Sequence, residues 1–124
     1  MENSSKIHWV RVLIGGIVAE LAVFVIVFPT LNFFGQNAFL ASILIASAVM
    51  PFVLAYWVGG HVESRFVLHG ALVGVVSALF YVALTRGQRE PLLYIVAHGL
   101  KIAGGAAGGY VASRMRPKPA PQPE

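Results

Sequence analysis

A chain of 124 residues of which 57% are apolar and 11% charged, with a mean hydropathy of +0.75, is too apolar for a water-soluble domain, where about 25% of residues carry charge. The composition specifies an integral membrane protein and leaves no stretch for a soluble catalytic domain. With no cysteine it also excludes disulfides, thiolate metal sites and thiol nucleophiles. The formal net charge of +4 comes from basic residues at segment ends rather than from a basic stripe interleaved with aromatics, which argues against nucleic acid as a partner.

Four apolar runs have about the 20 residues needed to cross a hydrocarbon layer of about 30 Å: 10–28, 39–58, 67–85 and 92–112. The predicted fold is an all-α, four-helix transmembrane bundle over 1–116, followed by a disordered Pro-rich tail at 117–124. Lys6 precedes the first run and Arg11 stands at its start, as in a secretory signal. The apolar stretch is longer than a signal's, however, and Pro29-Thr30-Leu31-Asn32 offers no small-x-small cleavage site, so it reads as a retained helix. The connectors are Pro29 to Ala38, Gly59 to Phe66 and Arg86 to Pro91. Lys6, Arg11, Arg65, Arg114, Arg116 and Lys118 then share one side, against Arg86 and Arg89 on the other. The excess places both termini in the cytoplasm of a multi-pass protein of the cell (inner) membrane, with the lipid bilayer as its first partner.

Two stretches match: Gly59-Gly60-His61-Val62-Glu63-Ser64-Arg65 and Gly108-Gly109-Tyr110-Val111-Ala112-Ser113-Arg114. With a weaker match of Val12-Leu13-Ile14-Gly15 to Val67-Leu68-His69-Gly70, the chain reads as two tandem helical hairpins in parallel repeat. The other reading is a common cytoplasmic helix end used twice.

Small residues recur where helices would approach. Gly104 with Gly108 and Gly105 with Gly109 form overlapping G-x-x-x-G pairs; Gly70 with Gly74, and Gly15 with Ala19, repeat the spacing, and Gly16 adds a further small residue. Such pairs let backbones pack closely in lipid, first within the chain and alternatively in a homodimer. Pro51 removes a backbone donor inside the second span and predicts a kink, static or hinge-like. Trp9, Tyr56, Trp57 and Tyr110 fall at the expected interfaces. His8, His61 and His69 have no zinc spacing and read as solvated interfacial residues.

Glu20 in the first span and Lys101 in the fourth are the fully charged side chains deep inside the spans. At ~1.5 Å per residue, Glu20 lies ~13 Å from Pro29 and Lys101 ~15 Å from Pro91, so the two share a depth. A lone charge in hydrocarbon costs from about 2.5 kcal/mol upward, and pairing is the cheapest escape. Ala97, Lys101, Gly104, Gly108 and Ala112 form a small-residue stripe, and Gly16 precedes Glu20 by one turn. The spacing therefore predicts close backbones where the charges meet. His98, one turn before Lys101, belongs to the same candidate site. The alternatives to a structural pair are a proton or ion site, a snorkelling Lys101 and a charge facing a partner.

The run Leu13-Ile14-Gly15-Gly16-Ile17-Val18-Ala19-Glu20 resembles the first helix of the small multidrug resistance transporters, four-span chains of similar length with a glutamate in span one. That resemblance covers eight residues. It implies proton-coupled export of hydrophobic cations by a dimer, with Glu20 as the carboxylate shared by proton and substrate. Lys101 departs from the family's pattern, which leaves that carboxylate unpaired. As a whole, the chain is similar to small four-span bacterial membrane proteins of uncharacterised function, a likeness of architecture that implies no activity.

Ser42, Ser47 and Ser77 have no base at helical spacing, and neither a two-histidine metalloprotease motif nor a phosphate loop occurs. The sequence thus predicts a non-enzymatic structural or accessory membrane subunit without cofactor or metal, partnered by lipid, by a second copy or by another membrane protein. The alternative is a small proton-coupled transporter of hydrophobic cations using Glu20.

Overall fold

The computed structural model describes residues 7–62, 65–87 and 92–115. The Pro-rich tail, Lys6, Arg89, Arg116 and Lys118 lie outside them. The described chain folds into four helices with no strand among the described residues: α1 (Trp9–Phe34), α2 (Gln36–Gly59), α3 (Phe66–Leu84) and α4 (Leu92–Met115). In lipid every backbone polar group must find a partner inside its own segment, which leaves helices as the form these apolar runs can take. Helices α1, α2 and α3 are each long and apolar enough to cross a membrane, and they make the chain a membrane protein. Helix α4 has 24 residues, about 36 Å, but its glycines, Lys101 and Arg114 make it less apolar than the other three.

The first connector differs from its prediction. Helix α1 continues through Pro29 to Phe34, and Gly35 alone separates it from α2. A proline inside a helix forfeits one hydrogen bond, whereas leaving the helix at Phe28 would strand a turn of carbonyls in an apolar setting. The reversal waits for Gly35, at φ 90° and ψ −178°, a conformation essentially confined to glycine. Its N–H donates to the Leu31 carbonyl at 3.3 Å and its carbonyl accepts from the Phe39 N–H at 3.0 Å. Pro51 is buried within α2, which runs unbroken past it.

The hairpin α1–α2 lies beside the hairpin α3–α4, so that like helices are neighbours running in the same direction. On the α2/α4 side Gly104 approaches Ala48, Gly108 approaches Phe52 and Gly59 meets Ala112. On the α1/α3 side Gly16 meets Val73 and Val76, and Phe24 stacks with Tyr81 at 6.1 Å. Helices α3 and α4 run antiparallel, backbone against backbone. A Cβ on Gly70 would strike the Gly105 carbonyl, one on Gly105 would strike the Gly70 carbonyl, and Gly74 and Gly109 are stopped by the backbones at Lys101 and Phe66. The two G-x-x-x-G pairs of α4 therefore serve different partners: Gly104 and Gly108 seat α2, while Gly105 and Gly109 seat α3. Gly15 faces Val58 and Val73.

The matched heptapeptides are not equivalent in the fold. Gly59 ends α2, whereas Gly108 and Gly109 lie inside α4, which runs on to Met115. Packing decides the difference, because the second pair is wedged against the backbones of Phe52 and Phe66.

Helices α1 and α4 occupy opposite corners of the bundle, and no Cα of one comes within 8 Å of a Cα of the other. The small-residue stripe is expected from its spacing to bring the α4 backbone against α1, but Gly104, Gly108 and Ala112 meet α2 instead. Two apolar clusters fill the interior. One gathers Val23, Val27, Ile43, Ala46 and Ala97 toward the Gly35 end; the other gathers Ala55, Val58, Val62 and Val73 toward the end that holds both described termini.

Candidate functional site

Between these clusters lies a polar layer to which each helix contributes one buried side chain: Glu20, Ser47, Ser77 and Lys101, all at most 2% exposed. Lys101 Nζ lies 2.7 Å from Glu20 Oε1. The same oxygen accepts the Ser77 hydroxyl at 2.8 Å, and the ammonium sits over the Tyr81 ring, 5.0 Å from its centroid. One carboxylate oxygen thus ties α1 to both α3 and α4. The ion pair carries no net charge, and charge-assisted bonding offsets part of what desolvating two ions costs. Because α1 and α4 stand apart, the long lysine side chain covers the distance that their backbones do not.

The gap left between α1 and α4 is a cavity of ≈ 120 Å³ running from the ion pair toward the Gly35 end. Phe24 and Phe28 of α1, Phe39 of α2, Tyr81 of α3 and Tyr94 of α4 form its aromatic walls, and Glu20, Ser47, His98 and Lys101 reach it from the polar layer. His98 packs on Tyr81 with ring centroids 5.1 Å apart, and so joins the site through Tyr81. Ser47 Oγ is buried and has no hydrogen-bond partner among the described residues. Pro51, one turn further along α2, has no N–H to offer the Ser47 carbonyl.

The sequence gives Ser42, Ser47 and Ser77 no base at helical spacing. Ser42 bonds the Phe39 carbonyl at 2.7 Å. Ser77, however, has a carboxylate beside it, placed there by the α1/α3 packing that no single-helix spacing reveals. Depth is the signal that finds the layer: Glu20 precedes Gly35 by 15 residues and Ser47 follows it by 12.

His69 corrects another expectation. It is not solvated but buried, at 1% exposure. Its Nε2 accepts the His8 backbone N–H at 3.1 Å, and its Nδ1 lies 2.8 Å from the Arg65 carbonyl. Since an acceptor nitrogen carries no proton, Nδ1 is the protonated one and donates to that carbonyl; the ring is neutral. His61 is exposed, with its Nδ1 2.9 Å from the Trp57 carbonyl. Arg11 donates to the His61 carbonyl, fixing the start of α1 to the connector after α2. Among the described residues no group of three or more His, Asp or Glu is placed to hold a metal.

Fold and site together define an all-helical membrane bundle with one charge-compensated polar layer. Compared with protein-family models, with curated proteins and with solved structures, the chain matches nothing in any of the three.

Proposed function

We propose that this chain is a non-enzymatic structural or accessory subunit of the cell (inner) membrane, with all four helices crossing the bilayer and both termini cytoplasmic. The observation that carries this reading is the Glu20–Lys101 bridge across the α1/α4 gap, which reads as a clamp holding two otherwise separated helices in register. Charge compensation inside the layer makes Glu20 a poor proton carrier, and Ser77, fully buried behind that carboxylate, is out of reach of any substrate. Helix α4 joins the spanning set because it is seated along its length between α2 and α3. A partner, whether a second copy or another membrane protein, meets the lipid-facing apolar surface, since the paired glycines are engaged within the bundle.

The test is a double-substitution cycle in membranes. Lys101→Met and Glu20→Gln should each lower thermal stability and abundance, and the joint change should recover much of the loss. A joint variant no better than either single one overturns the clamp.

The aromatic cavity beside Glu20 favours a second reading, a proton-coupled transporter of hydrophobic cations. It requires that Glu20→Gln abolish cation-driven proton flux in reconstituted vesicles while folding persists. Absence of any such flux in the parent protein rejects it.

A further inference from the structure

The cavity between α1 and α4 has features that a register clamp does not need. A clamp is served best by a filled interior, yet here ≈ 120 Å³ stays open directly beside the ion pair. An engineered apolar cavity of about 150 Å³ holds one benzene ring, so this space is the size of a single six-membered ring. Phe24, Phe39 and Tyr94, all half-buried, line it, so that a ring inside meets aromatic faces from α1, α2 and α4.

The floor sets the chemistry. Glu20 and Lys101 already neutralise each other; an incoming cation would face the ammonium and an incoming anion the carboxylate, each adding an uncompensated charge in a low-dielectric interior. An uncharged guest avoids both. The Ser47 hydroxyl, buried at the cavity wall without a partner among the described residues, is a donor awaiting one oxygen. A lipid acyl chain would fill the space and leave that hydroxyl unsatisfied, whereas a ring bearing one oxygen satisfies it.

We propose that this cavity is a binding site for one uncharged, ring-sized amphiphile carrying a single hydroxyl or carbonyl oxygen, taken up from the surrounding lipid. The ring stacks among Phe24, Phe39 and Tyr94, and its oxygen accepts the Ser47 hydroxyl. The site is independent of the clamp's role in stability, because Ser47 takes no part in the ion pair.

The experiment uses the full chain in phosphatidylcholine nanodiscs, with 4-fluorophenol as probe and fluorobenzene and 4-fluorobenzylammonium as comparators, followed by fluorine NMR. The expected result is saturable binding of 4-fluorophenol about fivefold tighter than fluorobenzene, the worth of one neutral hydrogen bond. Ser47→Ala should erase that difference while leaving fluorobenzene binding intact, and Ile43→Phe, which fills the wall, should abolish both. Ser47→Ala removes a single oxygen and keeps the test valid if the bulkier variant does not fold. Non-saturable uptake equal to that of empty nanodiscs, a preference unchanged by Ser47→Ala, or tighter binding of the benzylammonium cation would each overturn the proposal.

Discussion

Lys101 reaches Glu20 across a space that their helices never close: the charged atoms are 2.7 Å apart, although no Cα of α4 comes within 8 Å of one in α1. The bridge is therefore made by side-chain length alone, and it is polarised. On the acid's side Ser77 donates to Glu20 Oε1; on the base's side the ammonium lies against the electron-rich face of Tyr81.

That polarity predicts that the pair cannot be exchanged. In Glu20→Lys combined with Lys101→Glu, a carboxylate would be set against the negative face of Tyr81, and the Ser77 hydroxyl would lose the carboxylate to which it donates. The swapped protein should melt lower than the neutral variant Glu20→Gln with Lys101→Met, by about 1–3 kcal/mol in detergent unfolding. Equal stability of the two would mean that Tyr81 and Ser77 do not discriminate the charges.

Three glycines should answer alanine in three ways. Gly105→Ala forces a Cβ into the Gly70 carbonyl, backbone against backbone, and should destabilise by about 1–3 kcal/mol or more. Gly35→Ala meets no atom, but its φ of 90° is strained for any side chain, costing about 1–3 kcal/mol. Gly99 is helical with open space around it, so Gly99→Ala should be neutral or stabilising by up to about 1 kcal/mol. Thermal unfolding of the three variants in one detergent gives the order directly.

The bundle's existence is legible in the sequence because long apolar runs admit few other structures, and Glu20 and Lys101 stand out because an isolated charge in lipid is too costly to leave unexplained. Which helices are neighbours is not legible. A G-x-x-x-G spacing announces that something comes close without saying what, and here consecutive glycines of α4 serve α2 and α3 in turn while α1 stays away. Ser47 and Ser77 escape notice for a related reason: a serine in a membrane helix can always bond its own backbone, so its sequence gives no sign of a partner on another helix. Pro29 misleads because a proline's cost is one hydrogen bond, less than that of unwinding the helix, and His69 because an ionisable residue at a predicted interface looks solvated until the neighbour that covers it, His8, is known.

The neutral, doubly bonded His69 fixes the start of α1 to the start of α3. His69→Leu keeps the bulk but takes away the acceptor of the His8 N–H, at about 1–3 kcal/mol for an unsatisfied donor, while the Arg65 carbonyl keeps the backbone N–H of residue 69 at 2.9 Å. The expected outcome is faster deuterium exchange at the His8 and Trp9 amides, with exchange in the middle of α3 unchanged. His69→Gln, which can both donate and accept, should recover part of the protection. If exchange near His8 were the same in His69→Leu as in the parent, the contact would contribute nothing to anchoring.

Whether α4 crosses the bilayer decides how the ion pair is buried, and the natural absence of cysteine makes the question answerable by single-cysteine labelling. In a four-span bundle, Asn37 and Gly87 lie at one end while Gly60 and Met115 lie at the other. All four positions are exposed. A membrane-impermeant maleimide added to intact cells should therefore modify Asn37→Cys and Gly87→Cys, and should reach Gly60→Cys and Met115→Cys only after permeabilisation. Labelling of Met115→Cys from outside together with Gly87→Cys would mean that α4 returns to the outer face. Lys101 would then approach Glu20 from the membrane surface rather than from within a fourth span, and the energetic case for a lipid-buried clamp would fail, because a surface-accessible ammonium is solvated whether or not a carboxylate is near.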